Sequence, residues 1–470
     1  MVSARGIVIA AICAACAGCA EVGPDYKVPP QALVNESAAH GAFISGTSVA
    51  SEERVPDYWW RLFDDPTLDQ LVENALARNV DLKAAQANLE RSDALLELAR
   101  TAREPSVSLD ASTAYTQQSA EASLSHVEPP RHEIYNTGFT ISYDLDLFGG
   151  IRRGIEAAAA DHEAVIAARD LVRVNVAAQT ARAYSDLCNT GNEIGVLQRQ
   201  ISVQERRLAL TRELIANGRA PSFSQERERG AIEDSRAQLA PLQARRMNAA
   251  FRLATLMGQP PADYDKSLLA CHTPLELKTL LPAGDGRTLL SRRPDVRAAE
   301  RHLATATAEI GVETAALYPD IKIGASTGST GAASSFFSPL TNRFAVGPMV
   351  SWDLHRSAIR DRITAAQAQS RASLARFDSA VLTALRETET SLDNYASALD
   401  RLQRLESARD AARAVDERTE ELWRGGKVGG LEALDAQRTW LVAENAVAAA
   451  QSDVNNDQIS TFLALGGGWQ

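Results

Sequence analysis

Two segments of this chain pass from a two-faced strand pattern into a very long helical pattern with no loop between them. In the first, apolar and polar residues alternate over 137–147, and an alanine-rich, charged stretch follows Gly149. The second, over 343–369, has the same order. Alternation with a period of two predicts a strand with two different faces. The stretches that follow predict helices over about 150–217 and 355–424, and about 70 residues form a rod of about 100 Å.

The two segments belong to an internal duplication. SYDL (142–145) and SWDL (351–354) lie about 210 residues apart, and EPSVSLDAS (104–112) matches YPDIKIGAS (318–326) in nearly the same frame. Each half predicts a helix, a strand, a polar loop, a second strand, a long helix, a glycine-containing turn and a returning helix. The predicted divisions are a first repeat (67–258), an equatorial linker (259–284), a second repeat (285–466) and a C-terminal tail (467–470).

Apolar residues in the long helices recur at steps of three and four, which predicts packing as coiled coils. Pro241 lies inside a returning helix and is expected to kink it or to remove one backbone hydrogen bond. The turns NGRAPS (217–222) and RGGKVGG (424–430) contain glycine where each helix has to end and reverse.

Four strands are predicted at about 105–117, 133–148, 319–330 and 342–354. Tilted transmembrane strands need about 9 to 11 residues, and a lipid-facing side opposite a water-facing side matches the alternation. Four strands do not close a barrel, so several chains have to share one. Two chains give a filled interior, whereas three chains leave a lumen.

Individual residues in these strands have expected roles. Tyr143 and Trp352 are predicted for an interfacial aromatic girdle, because they occupy equivalent places near the two strand-to-helix junctions. The candidates for lumen-facing acids are Asp144, Asp146 and Asp353. Pro348 predicts a bulge or a bend in the fourth strand, because proline does not donate to a sheet ladder.

The N-terminus has the pattern of an export signal. Arg5 precedes a short apolar stretch (6–18) that ends in CAGC, where Cys19 would become the lipidated first residue. Cys16 is a competing match, but it would shorten the apolar stretch further. The predicted divisions are a signal peptide (1–18) and a lipid anchor with an extended N-terminal segment (19–66). Cys188 and Cys271 permit a disulfide but do not imply one, and unpaired, partly buried thiols are the simpler expectation.

The sequence has few signs of catalysis or of nucleic-acid binding. A formal net charge of −11 argues against a nucleic-acid surface. GASTG (324–328) satisfies a nucleophile pattern, but Ser326 falls in a predicted strand rather than at a strand-to-helix turn. The histidines lack metal-ligand spacing, and the few methionines disfavour a dedicated Cu(I) path. We therefore expect no enzyme activity, no metal site and no cofactor other than the covalent lipid on Cys19.

The chain resembles the TolC-type outer-membrane factors, in particular the OprM/NodT-like lipoprotein branch. The resemblance covers nearly all of the chain after the signal. It rests on six segments in order: CAEVGPDYKVPP (19–30), YWWRLFDDPTLDQLVENALARNVDL (58–82), SYDLDLFG (142–149), RRPDV (292–296), SWDL (351–354) and LEALDAQRTWL (431–441). It implies an internally duplicated α+β membrane protein, a homotrimer with a shared 12-stranded barrel and a long helical periplasmic tunnel.

The resemblance also implies contacts at the periplasmic helix turns. The residues expected to meet the hairpin of a periplasmic adaptor are Gly218, Arg219, Gly425, Gly426, Gly429 and Gly430. Family members commonly have acidic residues near the tunnel mouth, but both turns of this chain lack an acid. The acidic, cation-binding ring of the family is therefore assigned to no residue here.

The function implied by the resemblance is that of a passive exit duct in the outer membrane. An inner-membrane transporter of the RND type, joined through an adaptor, would supply the energy for exporting drugs or other small toxic compounds. The alternatives are an exit channel for type I protein secretion or metal efflux, and an envelope scaffold lipoprotein that does not conduct. An envelope hydrolase would rest on Ser326 alone.

Overall fold

A computed structural model describes residues 21–45, 49–121, 124 and 127–467. The chain divides into two compact units. The first unit contains the described residues of 21–29, 89–165 and 299–377, and the second contains those of 30–88, 166–298 and 378–467. The helices in the described part are α1 (Pro66–Arg78), α2 (Val80–Arg100), α3 (Gly150–Ala216), α4 (Phe223–Leu256), α5 (Gly286–Arg292), α6 (Pro294–Ala315), α7 (Arg356–Arg424) and α8 (Gly430–Ala464).

The first unit contains a four-stranded antiparallel sheet. The strands of the chain are β1 (Ala50–Ser51), β2 (Ser106–Thr116), β3 (His132–Asp144), β4 (Leu281–Pro282), β5 (Asp320–Ala332) and β6 (Asn342–Ser351). The sheet has the order β2-β3-β5-β6, so the two hairpins meet along β3 and β5. Among the described residues, strands β2 and β6 each have one edge without a partner strand.

Two strands end earlier than the sequence pattern predicts. Strand β3 ends at Asp144 rather than near residue 148, and β6 ends at Ser351 rather than near residue 354. The physical reason is the same in both places. Asp146 accepts hydrogen bonds from backbone N–H groups in the first turn of α3, and Asp353 accepts one from His355 just before α7, so each side chain bonds the segment after its strand rather than the ladder.

The predicted bulge or bend at Pro348 is wrong for the hydrogen-bonded ladder between β5 and β6. The register between β5 and β6 runs without interruption from Asp320 opposite Ser351 to Ser329 opposite Asn342, with Pro348 opposite Ile323. Alternate residues of an antiparallel pair form no hydrogen bonds with each other. Proline fits such a position on an edge strand without distorting it.

The second unit is built around a helical core with an aromatic centre. Trp59 stacks on Phe462 of α8 with ring centroids 4.6 Å apart, and Phe63 meets the same ring edge-on. Asp65 precedes helix α1 as its N-cap, and its side chain accepts from the N–H groups of residues 67 and 68. Strands β1 and β4 form a short parallel pair in the same unit.

The longest helices match the duplicated pattern of the sequence. Helix α3 has 67 residues and α7 has 69 residues. Helix α4 continues from Phe223 to Leu256 with Pro241 inside it, so the proline does not end the helix. It still lacks the N–H that would donate to the preceding turn.

Cys188 and Cys271 form a disulfide, which corrects the simpler expectation of two unpaired thiols. Cys188 lies in α3 and is fully buried, and Cys271 lies in the segment between the two repeats. Sequence spacing alone does not bring these residues together. The fold does so because the 259–284 segment packs on α3 within the second unit.

Candidate functional site

The four-stranded sheet has one polar face and one apolar face. Residues that are directly opposite in the register share a face, so the pairing of β2, β3, β5 and β6 assigns each side chain. The large side chains of the apolar face that are solvent-exposed are Val107, Leu109, Tyr115, Phe139, Ile141, Tyr143, Ile323, Phe344, Val346 and Val350. All of them are exposed, and Phe344 reaches 86%. Such a large exposed apolar surface is typical of a surface that contacts a membrane or another protein.

The opposite face is rich in serine, threonine and glycine. Its members include Ser106, Ser108, Asp110, Ser112, Asn136, Gly138, Thr140, Ser142, Asp144, Lys322, Gly324, Ser326, Gly328, Thr330, Arg343 and Gly347. This division, apolar on one side and polar on the other, is the pattern of strands with lipid on one side and water on the other. In the described part of the chain, no helix is long and apolar enough to cross a membrane.

The three candidate lumen acids have different surroundings. Asp144 lies on the polar face of β3, and its Oδ1 is 2.8 Å from Lys322 Nζ. Asp146 lies beyond β3 and accepts from the backbone N–H groups of Ile151 and Arg152 at 3.0 and 2.9 Å. Asp353 lies beyond β6 and accepts from the N–H of His355 at 2.9 Å. Asp146 thus stabilises the start of α3, whereas Asp353 stabilises a turn just before α7.

Aromatic side chains mark both ends of the apolar face. Tyr143 lies on this face one residue before β3 ends, and Trp352 follows β6 and donates from Nε1 to Leu317 O at 3.1 Å. At the other end, Tyr135 packs against Phe336 with ring centroids 4.6 Å apart. Aromatic rows at both ends of an apolar band are typical of membrane interfaces.

The segment that follows the predicted lipid anchor is held against the start of α3. Arg153 is almost fully buried and donates to the carbonyl oxygens of Val22 and Gly23 at 3.1 and 3.3 Å and to Asp25 at 2.7 Å. The N–H of Val22 donates to Phe148 O. Cys19 itself lies outside the described residues. Residues 22–25 are fixed beside the junction between β3 and α3.

Further along the same segment, Tyr26 is half-buried against α6. Its hydroxyl donates to Glu300 Oε1 at 3.2 Å, and the guanidinium of Arg301 lies over its ring. Burial, together with the charge of Glu300, raises the pKa of the Tyr26 phenol well above its usual value. Tyr26 therefore stays a neutral hydrogen-bond donor throughout the physiological range.

The two helix-reversal turns have the same backbone structure. After α3, Gly218 has φ +70°, and the N–H of Arg219 donates to Leu214 O at 2.8 Å. After α7, Gly426 also has φ +70°, and the N–H of Lys427 donates to Leu422 O at 2.8 Å. Each turn is a Schellman motif, in which glycine takes the left-handed conformation. The duplication therefore extends to the hydrogen bonds of the turns.

The six predicted tip residues differ in how much space surrounds them. A Cβ added at Gly218, Gly426 or Gly429 would meet nothing within 4 Å, whereas one added at Gly430 would lie 2.8 Å from Leu210 Cδ2. Gly425 has carbonyl oxygens at contact distance, and the side chain of Arg219 is exposed. Gly430 is thus required for packing, while Gly429 faces open space with an unstrained φ of −78°.

The helices behind the turns are tied together by Arg207 of α3. Its guanidinium bonds Glu228 of α4 at 3.1 Å and Asp435 of α8 at 2.7 Å. A cavity of about 230 Å³ lies beside this contact and is bordered by Trp423 and Leu434. The two turns are therefore presented by one packed set of helices.

The serine of the GASTG pattern does not lie at the kind of turn that presents a nucleophile. Ser326 lies in the middle of β5, opposite Thr140 on one side and Ala345 on the other, rather than at a strand-to-helix turn. In the part of the chain that the structure describes, no group of three or more His, Cys, Asp or Glu is placed to hold a metal ion.

The chain belongs to the outer membrane efflux protein family, whose model matches residues 71–259 and 286–467. The two matched stretches correspond to the two halves of the duplication. The family relationship and the fold confirm the resemblance to TolC-type outer-membrane factors, and the chain has the fold of one subunit of a trimeric, TolC-like outer-membrane channel. In such a trimer the strands of three chains form one closed barrel, with the polar face inside and the apolar face against lipid.

Individual relatives match over almost the whole chain. The pyoverdine export outer membrane protein OpmQ of Pseudomonas aeruginosa is 29% identical over 441 residues, which cover 91% of this chain and 90% of OpmQ. The toluene efflux pump outer membrane protein TtgF of Pseudomonas putida is 28% identical, with 98% and 96% covered. Among solved structures, the outer-membrane channel OprN is 33% identical, covers 95% of this chain and 99% of its own, and superposes with a TM-score of 0.85.

Several functional contacts were not predicted from the sequence. Lys322 as the partner of Asp144, the clamp formed by Arg153, and the position of Arg343 all depend on which strands or segments are neighbours. The period-two alternation already assigns Lys322 and Arg343 to a face. It does not give the register between the two hairpins, which decides what each side chain meets.

Proposed function

We propose that this chain forms the passive exit duct of a tripartite efflux pump, working with a periplasmic adaptor and an inner-membrane transporter of the RND type. The observation that carries the proposal is the two-faced sheet with unpaired outer edges, whose strands β3 and β6 lead into helices of 67 and 69 residues. A trimer of such chains makes a water-filled path that continues from the barrel into a helical tube.

We further propose that the two helix-reversal turns are the adaptor-contact tips. Their support is the duplicated Schellman geometry, together with open space at Gly218, Gly426 and Gly429. A small, exposed, glycine-rich turn lets the backbone of a partner hairpin approach closely. Arg219 and Lys427 follow the two helix ends, where a positive charge also complements the helix dipole.

The proposed lipid anchor is Cys19, with the acyl chains in the membrane beside the barrel. The support is the clamp on residues 22–25, which holds the neighbouring chain at the end of the strands. Replacement of Cys19 by Ala is expected to abolish incorporation of labelled palmitate. Persistent labelling of that variant would exclude this residue as the anchor.

The function is tested by accumulation of a fluorescent amphipathic dye in cells lacking this chain. Restoring the wild-type gene is expected to lower accumulation, and Gly429→Trp is expected to keep it high while trimers still form. Gly41→Trp is the matched control, because Gly41 also has nothing within 4 Å of its added Cβ but lies outside the turns. Equal export by wild type and Gly429→Trp would refute the adaptor-contact assignment. Unchanged accumulation on deletion, with no conductance of the purified trimer in a bilayer, would refute the duct.

A further inference from the structure

Five charged side chains occupy the polar face within β2, β3, β5 and β6, all of whose residues the structure describes. Three of them form a cluster near one end of the sheet, in which one lysine pairs with two aspartates and a net charge of −1 remains. Lys322 Nζ is 2.8 Å from Asp144 and 3.3 Å from Asp320. The other two are Asp110 on β2 and Arg343 on β6.

Asp110 and Arg343 lie on one line across the sheet. Asp110 is opposite Gly138, Gly138 is opposite Gly328, and Gly328 is opposite Arg343. The two positions between the charged residues therefore have no side chains. The polar face is flat there, with one charge of each sign at its two borders.

The glycines let the arginine side chain lie along the wall. Arg343 crosses β5, donating from Nε to Thr330 Oγ1 at 3.0 Å and from Nη2 to Asn136 Oδ1 on β3 at 2.9 Å. A Cβ on Gly138 would be only 3.0 Å from Nη2. A side chain at this position would displace the guanidinium from the wall.

These contacts orient the two charges but do not neutralise them. The partners of Arg343 are a hydroxyl and an amide oxygen, which carry no net charge. Asp110 has a hydroxyl contact, from Ser108 Oγ at 3.5 Å. Within the residues that the structure describes, neither side chain has an oppositely charged group within 4.0 Å. Within one chain both side chains are solvent-exposed, and both lie on the polar face that lines the proposed duct.

We propose that Asp110 and Arg343 are the charge-selecting residues of the barrel lumen. Arg343 attracts anionic groups of the permeant, such as carboxylate or phosphate, and its planar fork binds them in a fixed orientation. Asp110 attracts cationic groups. A solute that carries both charges is oriented across Gly138 and Gly328, with its cationic group toward Asp110 and its anionic group toward Arg343. This inference rests on the proposed duct function, because it requires solutes to pass along the polar face.

The change in ion concentration near each charged side chain follows from the distance between the charge and the passing ion. In water, one unit charge about 10 Å from a monovalent ion changes the local concentration of that ion about twofold. Dilute salt preserves the effect, because the screening length is about 30 Å at 0.01 M.

The test is the reversal potential of the purified trimer in a planar bilayer under a dilute KCl gradient. Arg343→Gln is expected to raise the ratio of K⁺ to Cl⁻ permeability at least about twofold, and Asp110→Asn is expected to lower it by a similar factor. The double variant is expected to return close to the wild-type ratio. Arg343→Lys is the matched control, because it keeps the charge and should keep the ratio.

Each variant is first checked for trimers on an unboiled gel and for single-channel conductance. Conducting trimers whose ratio is unchanged by Arg343→Gln and by Asp110→Asn would overturn the inference and leave the duct intact. Shifts of both variants in the same direction would also overturn it. A wild-type trimer that does not conduct would overturn the duct function, and this inference with it.

Discussion

Replacing Arg153 by Ala tests how the N-terminal segment is held. The change removes two hydrogen bonds from the buried guanidinium to the carbonyl oxygens of Val22 and Gly23. Hydrogen bonds to a charged group contribute about 1.5 kcal/mol each at the lower end of their range. The ion pair with Asp25 adds little, because the Asp25 side chain is 81% exposed. Local opening of the segment should therefore become about 3 kcal/mol easier, which is about a hundredfold.

Hydrogen exchange measures this opening directly. The amide of Val22 donates to Phe148 O and reports the docked state. In Arg153→Ala we expect its exchange to be about a hundredfold faster, with trypsin cleavage after the exposed Lys27 also faster. Arg173→Ala, further along α3, is the control and should leave exchange unchanged. Wild-type protection of Val22 in Arg153→Ala would refute the reasoning that the guanidinium clamps the segment.

Three further outcomes follow from contacts in the helices. Replacing both Cys188 and Cys271 by Ser opens a loop with a sequence separation of 83. The chain-entropy estimate gives this disulfide up to about 4.5 kcal/mol of stabilisation, so the thermal midpoint of the double variant should fall. An unchanged midpoint would contradict this. Asp146→Ala should lower the free energy of unfolding by about 1 kcal/mol, because it removes the hydrogen-bond acceptor at the start of α3. The denaturant midpoint of Asp146→Ala should therefore be lower than that of Asp146→Asn. Burial raises the pKa of Glu193, with Arg245 opposing, so its ionised form is disfavoured in the folded state. Glu193→Gln should therefore stabilise the protein at pH values above the raised pKa and have no effect at pH values below the usual carboxyl pKa. An equal gain in stability at both pH values would exclude ionisation of Glu193 as the cause.

The architecture was predictable because several patterns indicate the same structure. The alternation around Tyr143, the glycines at 149 and 150 and the uninterrupted stretch after them agree on a strand followed directly by a helix. The matching order of the second half supports the same interpretation independently. Hydrophobic periodicity is local information, and these elements are long enough for it to dominate.

The pairings were not predictable for the opposite reason. The disulfide between Cys188 and Cys271 and the ion pair between Lys322 and Asp144 join residues that are distant in sequence. The premature ends of β3 and β6 have a different origin. An aspartate just outside a strand is polar like its neighbours, so the alternation pattern does not distinguish a side chain that faces water from one that caps a helix.

The unpaired edges of β2 and β6 have a consequence for genetics. Because lipid offers no hydrogen-bond partner for an open strand edge, insertion of the sheet and association of three chains are one event. A chain whose strands are intact but whose helix turns are defective will still join trimers with normal chains. When both kinds of chain are made in one cell, most trimers contain at least one defective copy. Loss-of-function substitutions in the turns should therefore be dominant over the wild-type gene, whereas substitutions that prevent strand pairing should be recessive.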